Sequence, residues 1–169
     1  MDYFNDSLSN KALIMAPNDG EKYVMNGGAY TFKITSEDTG DQMGIYEIEL
    51  QPKARGANLH YHRFMDETFV VLQGTLTLML GNGESKAVQG TVAHIPRFTP
   101  HGFRNDSEET VKLLLIFNPS MKREGFFRGL YETLTEEPID PSKYLKLYNK
   151  YDSFPVDVNH MLPIEGSSY

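Results

Sequence analysis

The stretch Gly56-Ala57-Asn58-Leu59-His60-Tyr61-His62-Arg63-Phe64-Met65-Asp66-Glu67-Thr68-Phe69-Val70-Val71-Leu72-Gln73-Gly74 carries two histidines one residue apart, a glutamate five positions after the second, and a glycine at each end. In an extended strand alternate side chains share a face, so His60 and His62 point together and Tyr61 points away. Arg63 to Asp66 is able to turn, and Glu67 then begins an apolar strand that can bring its carboxylate beside the two rings. His101, further on, supplies a third imidazole from another strand, as a metal needs ligands from more than one direction. Imidazole nitrogen and carboxylate oxygen without thiolate suit one divalent transition metal: iron, manganese, nickel, cobalt, copper or zinc. His60, His62, Glu67 and His101 are therefore the expected metal ligands. Glu67 is also the expected catalytic residue, ligating the metal or leaving it to act as a general base.

Glycines and a proline extend the pattern. From Gly56 to Gly74 it reads G-x3-H-x-H-x4-E-x6-G, and from Gly90 to Asn105 it reads G-x5-P-x4-H-x3-N through Pro96 and His101. A lone H-x-H arises by chance, and packed or surface histidines explain it equally well. The whole set in this order is specific. These two segments resemble the paired motifs of the cupin superfamily, and the fifteen residues between Gly74 and Gly90 resemble the short gap of small bacterial single-domain cupins. There are two departures. The first segment has one residue fewer than usual between its glycine and first histidine. Phe98 stands where a glycine usually follows the proline by two, which predicts a different turn before His101. All four ligand positions are filled.

The resemblance implies an all-β fold, a cupin-type double-stranded β-helix or jelly-roll barrel, with C-terminal helices. The residue pattern agrees. Tyr30, Phe32 and Ile34 share one strand face, and Tyr46, Ile48 and Leu50 share another, with a turn over Glu37 to Gly40. Thr68 to Leu72, Thr75 to Leu80, Lys86 to Val88, Val92 to Pro96 and His101 to Asn105 read as short strands. Asn82-Gly83 marks a tight hairpin. Leu113 to Phe117 is apolar throughout and reads as a strand covered on both faces. After it the period lengthens. Ser120 is the expected cap of a helix carrying Phe127, Leu130, Tyr131 and Leu134. Asp140-Pro141 starts a second helix with Tyr144, Leu147, Tyr148 and Tyr151 on one face. Both are expected to cover barrel surface. This ending resembles that of quercetin dioxygenase-like small cupins. The expected division is an N-terminal extension over 1–20, the barrel over 21–118, and helices and tail over 119–169.

At 169 residues with 40% hydrophobic and 12% aromatic residues, the chain can bury one sizeable core. Its formal charge of −7 argues against nonspecific nucleic-acid binding, which relies on lysine and arginine. It has no cysteine, so thiolate chemistry and disulfides are excluded. No basic region followed by an apolar run opens the chain, and no apolar run is long enough to span a membrane. A cytoplasmic protein with a small-molecule partner, and no nucleic acid or membrane partner, is expected. Exposed barrel edges and the resemblance together predict a homodimer.

His94 is read as a packed strand histidine or a pocket-lining one, and His160 as solvated. Arg97, Arg104 and Lys112 are read as solvated charges before substrate-holding ones. Phe69, Phe98, Phe103 and Phe117 are core or pocket residues. The resemblance implies a metal-dependent dioxygenase acting on a small aromatic or enolisable substrate. A metal-dependent lyase or isomerase, or a noncatalytic module binding a small molecule or metal, uses the same ligands.

Overall fold

The structure is a computed structural model that describes residues 8, 9 and 11–164. The expectation for the N-terminal extension falls partly on residues 1–7 and 10, outside those described, as does the end of the tail past Ile164. Ahead of the barrel, Lys33 ties residues 16–19 down by donating to the carbonyls of Ala16, Pro17 and Asp19 at 3.0, 2.8 and 2.8 Å.

Among the described residues eleven strands form two antiparallel sheets. β1 (Lys22–Met25), β2 (Gly28–Ile34), β3 (Gly44–Leu50), β10 (Val111–Asn118), β5 (Asp66–Gln73) and β8 (Val92–Ile95) make one, in that order. β11 (Phe154–Pro155), β4 (Arg55–Tyr61), β9 (His101–Arg104), β6 (Thr75–Leu80) and β7 (Gly83–Val88) make the other. This is an all-β sandwich closed like a barrel, with helices after it. Strict alternation sets the inner face: in β3, Tyr46, Ile48 and Leu50 are wholly buried while the residues between them are half-buried. The hairpin forms where expected, with Gly81 and Asn82 as its two loop residues and Gly83 already paired with Leu80.

Three local expectations are corrected. Glu37 to Gly40 is not a simple turn: a one-turn helix, α1 (Ser36–Thr39), precedes Gly40, whose left-handed backbone ends it. β10 is buried on one face only, with Lys112, Leu114 and Ile116 half-exposed on the other. It lies between β3 and β5 in an antiparallel sheet, which needs one covered face. Ser120 is not a helix cap. Helix α2 spans Arg123–Thr135 from Lys122, and the buried Ser120 hydroxyl faces the Tyr46 hydroxyl at 3.3 Å. The second helix, α3 (Pro141–Lys150), does start at Asp140, whose carboxylate accepts from the Ser142 amide at 2.8 Å.

The helices do more than cover barrel surface. Phe127 reaches inward to within 5.4 Å of the Tyr30 ring and 4.9 Å of the Tyr46 ring, and Phe126 packs on Tyr148 at 5.2 Å. The physical reason is that a barrel end left open would expose Tyr30, Phe32 and Phe117. Burying a phenylalanine contributes on the order of 2–3 kcal/mol, so the apolar stripe of α2 seats in the opening. After α3 the chain returns as β11 and pairs Phe154 and Pro155 with Tyr61 and His60. Pro155 lacks an amide donor, which suits the edge position. Among the described residues no helix is long and apolar enough to cross a membrane.

Candidate metal centre

His60 in β4 and His62 just past its end are both buried, and His101, the first residue of β9, is His60's direct cross-strand partner. Glu67, the second residue of β5, enters from the opposite sheet. All four are buried, and one candidate ligand atom from each lies within 4.8 Å of the others. The four side chains that spacing singled out are thus brought together and can hold a metal ion.

The hydrogen bonds orient each ring the same way. Nδ1 of His60, His62 and His101 faces the carbonyl oxygens of Asn58, Asp152 and Thr99 at 2.8, 2.6 and 2.9 Å. A carbonyl only accepts, so each Nδ1 carries the proton and each Nε2 presents a lone pair inward. Glu67 Oε2 stands 3.1 Å from Nε2 of His62 and 2.8 Å from Nε2 of His101. With neutral rings such contacts need a cation between them; in its absence a proton shared at Nε2 takes its place. The donor set therefore fits a divalent metal, with His60, His62, Glu67 and His101 as its holders.

Electrostatics favour the same state. Burial, and then the neighbouring rings, hold His60 well below the ordinary imidazole value. Burial lowers His62 despite the opposing pull of Glu67. Burial alone would raise Glu67, but its contacts with His101 and His62 outweigh it and keep the carboxyl well below its usual range. Neutral imidazoles and an ionised carboxylate are what a cation requires. A pH dependence follows for the metal-free protein. Both rings titrate below their unfolded value of 6.5, so the stability they contribute is complete above it and is lost as pH falls below it. Glu67 loses stability in the same direction at lower pH. The expected slope approaches about 1.4 kcal/mol per pH unit for each ring. Thermal melts of metal-stripped protein between about pH 7.5 and 5.5 read it; a flat profile contradicts it.

Asp152, which the sequence reading did not single out, anchors the centre from the end of α3. Its carboxylate accepts from the amides of Arg63, Phe64 and Met65 at 3.0, 2.8 and 3.1 Å, while its carbonyl takes His62 Nδ1. It thereby holds the turn between His62 and Glu67. Asp152→Ala is expected to cost about 2–4 kcal/mol and to weaken metal affinity about 10- to 100-fold. Chemical denaturation and metal competition measure the two effects, and unchanged metal affinity would show that Asp152 acts on the fold alone.

Arg123 was missed as well. It is 3% exposed, on the α2 stripe that also carries Phe126, Phe127 and Leu130, and it lines a cavity with His60 and Glu67. An arginine at that helical spacing on an apolar face was the available signal. The cavity measures about 20 Å³.

Other residues fall outside the centre. His94 is exposed, bonded to Thr68 Oγ1 at 3.0 Å, so it is neither packed nor pocket-lining. His160 is half-exposed and bonds Asp157. Arg97 pairs with Asp66, Arg104 with Glu84 and Asp106, and Lys112 with Glu49. Phe69, Phe103 and Phe117 are buried, and Phe103 fills the space a side chain on Gly56 would need. Phe98 is exposed and takes φ +64°, the left-handed backbone usually given to glycine.

Comparison with known proteins agrees with this geometry. Residues 46–117 match the family described as Cupin domain. Over 99 residues, 57% of the chain, the sequence is 31% identical to quercetin 2,3-dioxygenase of Bacillus subtilis (strain 168), of whose length the match spans 28%. A sugar phosphate isomerase from Silicibacter pomeroyi superposes with a TM-score of 0.58 and 23% identity, over 64% of this chain and 77% of that one. A polyketide cyclase from Streptomyces resistomycificus superposes with a TM-score of 0.57 and 19% identity, over 83% of this chain and 98% of that one. These two likenesses concern the fold alone.

Proposed function

We propose, from the match of residues 46–117 to the cupin domain family and from the likeness of fold, that this chain is a cupin-type metal-dependent dioxygenase acting on a small aromatic or enolisable substrate. The observation that carries the reading is three inward Nε2 atoms and one carboxylate that converge, with His60 and Glu67 of that set facing a cavity walled by aromatic rings. The partial similarity to a quercetin dioxygenase supports it. A bound divalent transition metal supplies a Lewis acid and, where redox-active, electrons for dioxygen.

The chain's own residues do the remainder. Carbonyls of Asn58, Thr99 and Asp152 hold the three rings in one tautomer and orientation. Ionised Glu67 accepts the proton of a substrate hydroxyl through its carboxylate, which the substrate must share or displace. Phe117, Phe126 and Tyr148 exclude water. A cavity of about 20 Å³ takes a water-sized guest, so a substrate enters when the cap of α2 and α3 moves, and reclosure shuts out solvent.

A lyase or isomerase is the second reading, favoured by Arg123, because a buried guanidinium stabilises an enolate whether or not oxygen follows. Oxygen uptake decides. Protein reconstituted with iron, manganese, nickel or cobalt is assayed against flavonols, diketones and catechols. No uptake with any pairing overturns the oxygenase, and product formed without oxygen selects the second reading. A homodimer is proposed too. β1 and β8 end one sheet and β7 and β11 the other, with Val24, Val88 and Val92 exposed on those edges. Light scattering should give twice the chain mass; a strictly monomeric mass removes this claim.

A further inference from the structure

We propose that Arg123 is the anion-binding residue of the centre, and that the ligand it receives is a small carboxylate held between its guanidinium and the four converging side chains. The inference rests on the metal-dependent reading above and names the ligand class of the same site.

Arg123 is a buried cation without an anion. Nη1 donates to the Tyr151 carbonyl and the Ser153 hydroxyl, each at 2.9 Å, and both are neutral. Nε is buried and has no hydrogen-bond partner. The guanidinium lies 3.7 Å from the Phe126 ring centre and 4.6 Å from that of Phe117, which hold it flat but leave its charge uncompensated. Among the described residues Arg123 makes no ion pair. The carboxylates whose fields it feels, Glu67 and Asp152, are committed elsewhere, one to His62 and His101 and the other to three backbone amides. Burying an unpaired guanidinium is costly, and a bound anion removes that cost.

Position says where the anion sits. Arg123, on the cap, and His60 and Glu67, on the barrel, line one enclosed cavity. With a divalent cation in place, the groups facing that cavity carry excess positive charge. A carboxylate has two oxygens, one for each positive wall, and a planar guanidinium matches its geometry. A cavity of about 20 Å³ takes a water-sized guest, so the carboxylate, alone or as the end of a larger molecule, enters with the cap open.

The alternative is that Arg123 only staples α2 to residues 151–153. The two roles separate in a binding measurement that needs no turnover. Protein loaded with cobalt(II) is titrated with formate, and with formamide as a neutral probe of the same shape, while the visible spectrum of the metal is followed. Formate should perturb the wild-type spectrum. Arg123→Met should weaken formate about 10- to 100-fold, with formamide unchanged and cobalt content equal. Formate binding unchanged in that variant, or no formate effect on the wild type, overturns the proposal and leaves the metal-dependent reading standing. Failure of the wild type to take up cobalt or any other divalent metal sinks both. Should Arg123→Met not fold, Arg123→Lys decides, since it keeps the charge and loses Nε: formate weakened at least about fivefold supports the proposal, and unchanged affinity refutes it.

Discussion

Alanine in place of His62 strips the metal and leaves the barrel standing. His62 contributes one of the four inward donors, and its ring also closes the link to the Asp152 carbonyl. Losing a hydrogen-bonded neighbour of a ligand already costs about 10- to 100-fold in metal affinity, so losing the ligand should cost more than about a hundredfold. Removing an imidazole that is 2% exposed also leaves a void and an unpaired carbonyl, together about 2–4 kcal/mol. The fold should survive because the main apolar cluster, around Tyr46, Ile48, Leu50, Phe69 and Leu113, is built from other residues. Elemental analysis beside circular dichroism reads both effects. A variant that keeps full metal content removes His62 from the ligand set.

Glu67→Gln should lower kcat about a hundredfold to ten-thousandfold and change KM far less. The substitution keeps the size of the side chain and one oxygen, so the metal can remain, yet an amide does not take up a proton at neutral pH. The carboxyl of Glu67 is held well below its ordinary range by His101 and His62 against the push of burial, so in the native protein it is ionised and able to accept. Metal content must be measured in the same sample, because loss of the charge also weakens cation binding. An undiminished kcat at full occupancy would take the proton-transfer role away from Glu67 and leave it as a ligand only.

Much of this was readable along the chain because its causes are local. Alternation within β3 and β5 follows from a two-residue repeat, the hairpin after β6 from the turn residues Gly81 and Asn82, and the start of α3 from Asp140 capping the turn that Pro141 opens. The same short-range logic named His60, His62, Glu67 and His101, since strand geometry puts the first two on one face and the others at strand starts. Phe98 shows the limit of reading residue types: it takes a left-handed backbone that a phenylalanine does not announce.

Other features have long-range causes. Asp152 meets His62 and the three amides after it across about ninety residues of chain, and no local period encodes that meeting. Arg123 reads as one more charge near a helix start until α2 seats its apolar stripe in the open barrel end and carries the guanidinium in with it. Hydrophobic burial is non-directional, so a stripe announces that it will be covered but not by what. Residue spacing was enough for most of the sheet elements and for His60, His62, Glu67 and His101 as candidate ligands. The packing of α2 and α3 against the barrel puts a buried cation, Arg123, in the same cavity as His60 and Glu67.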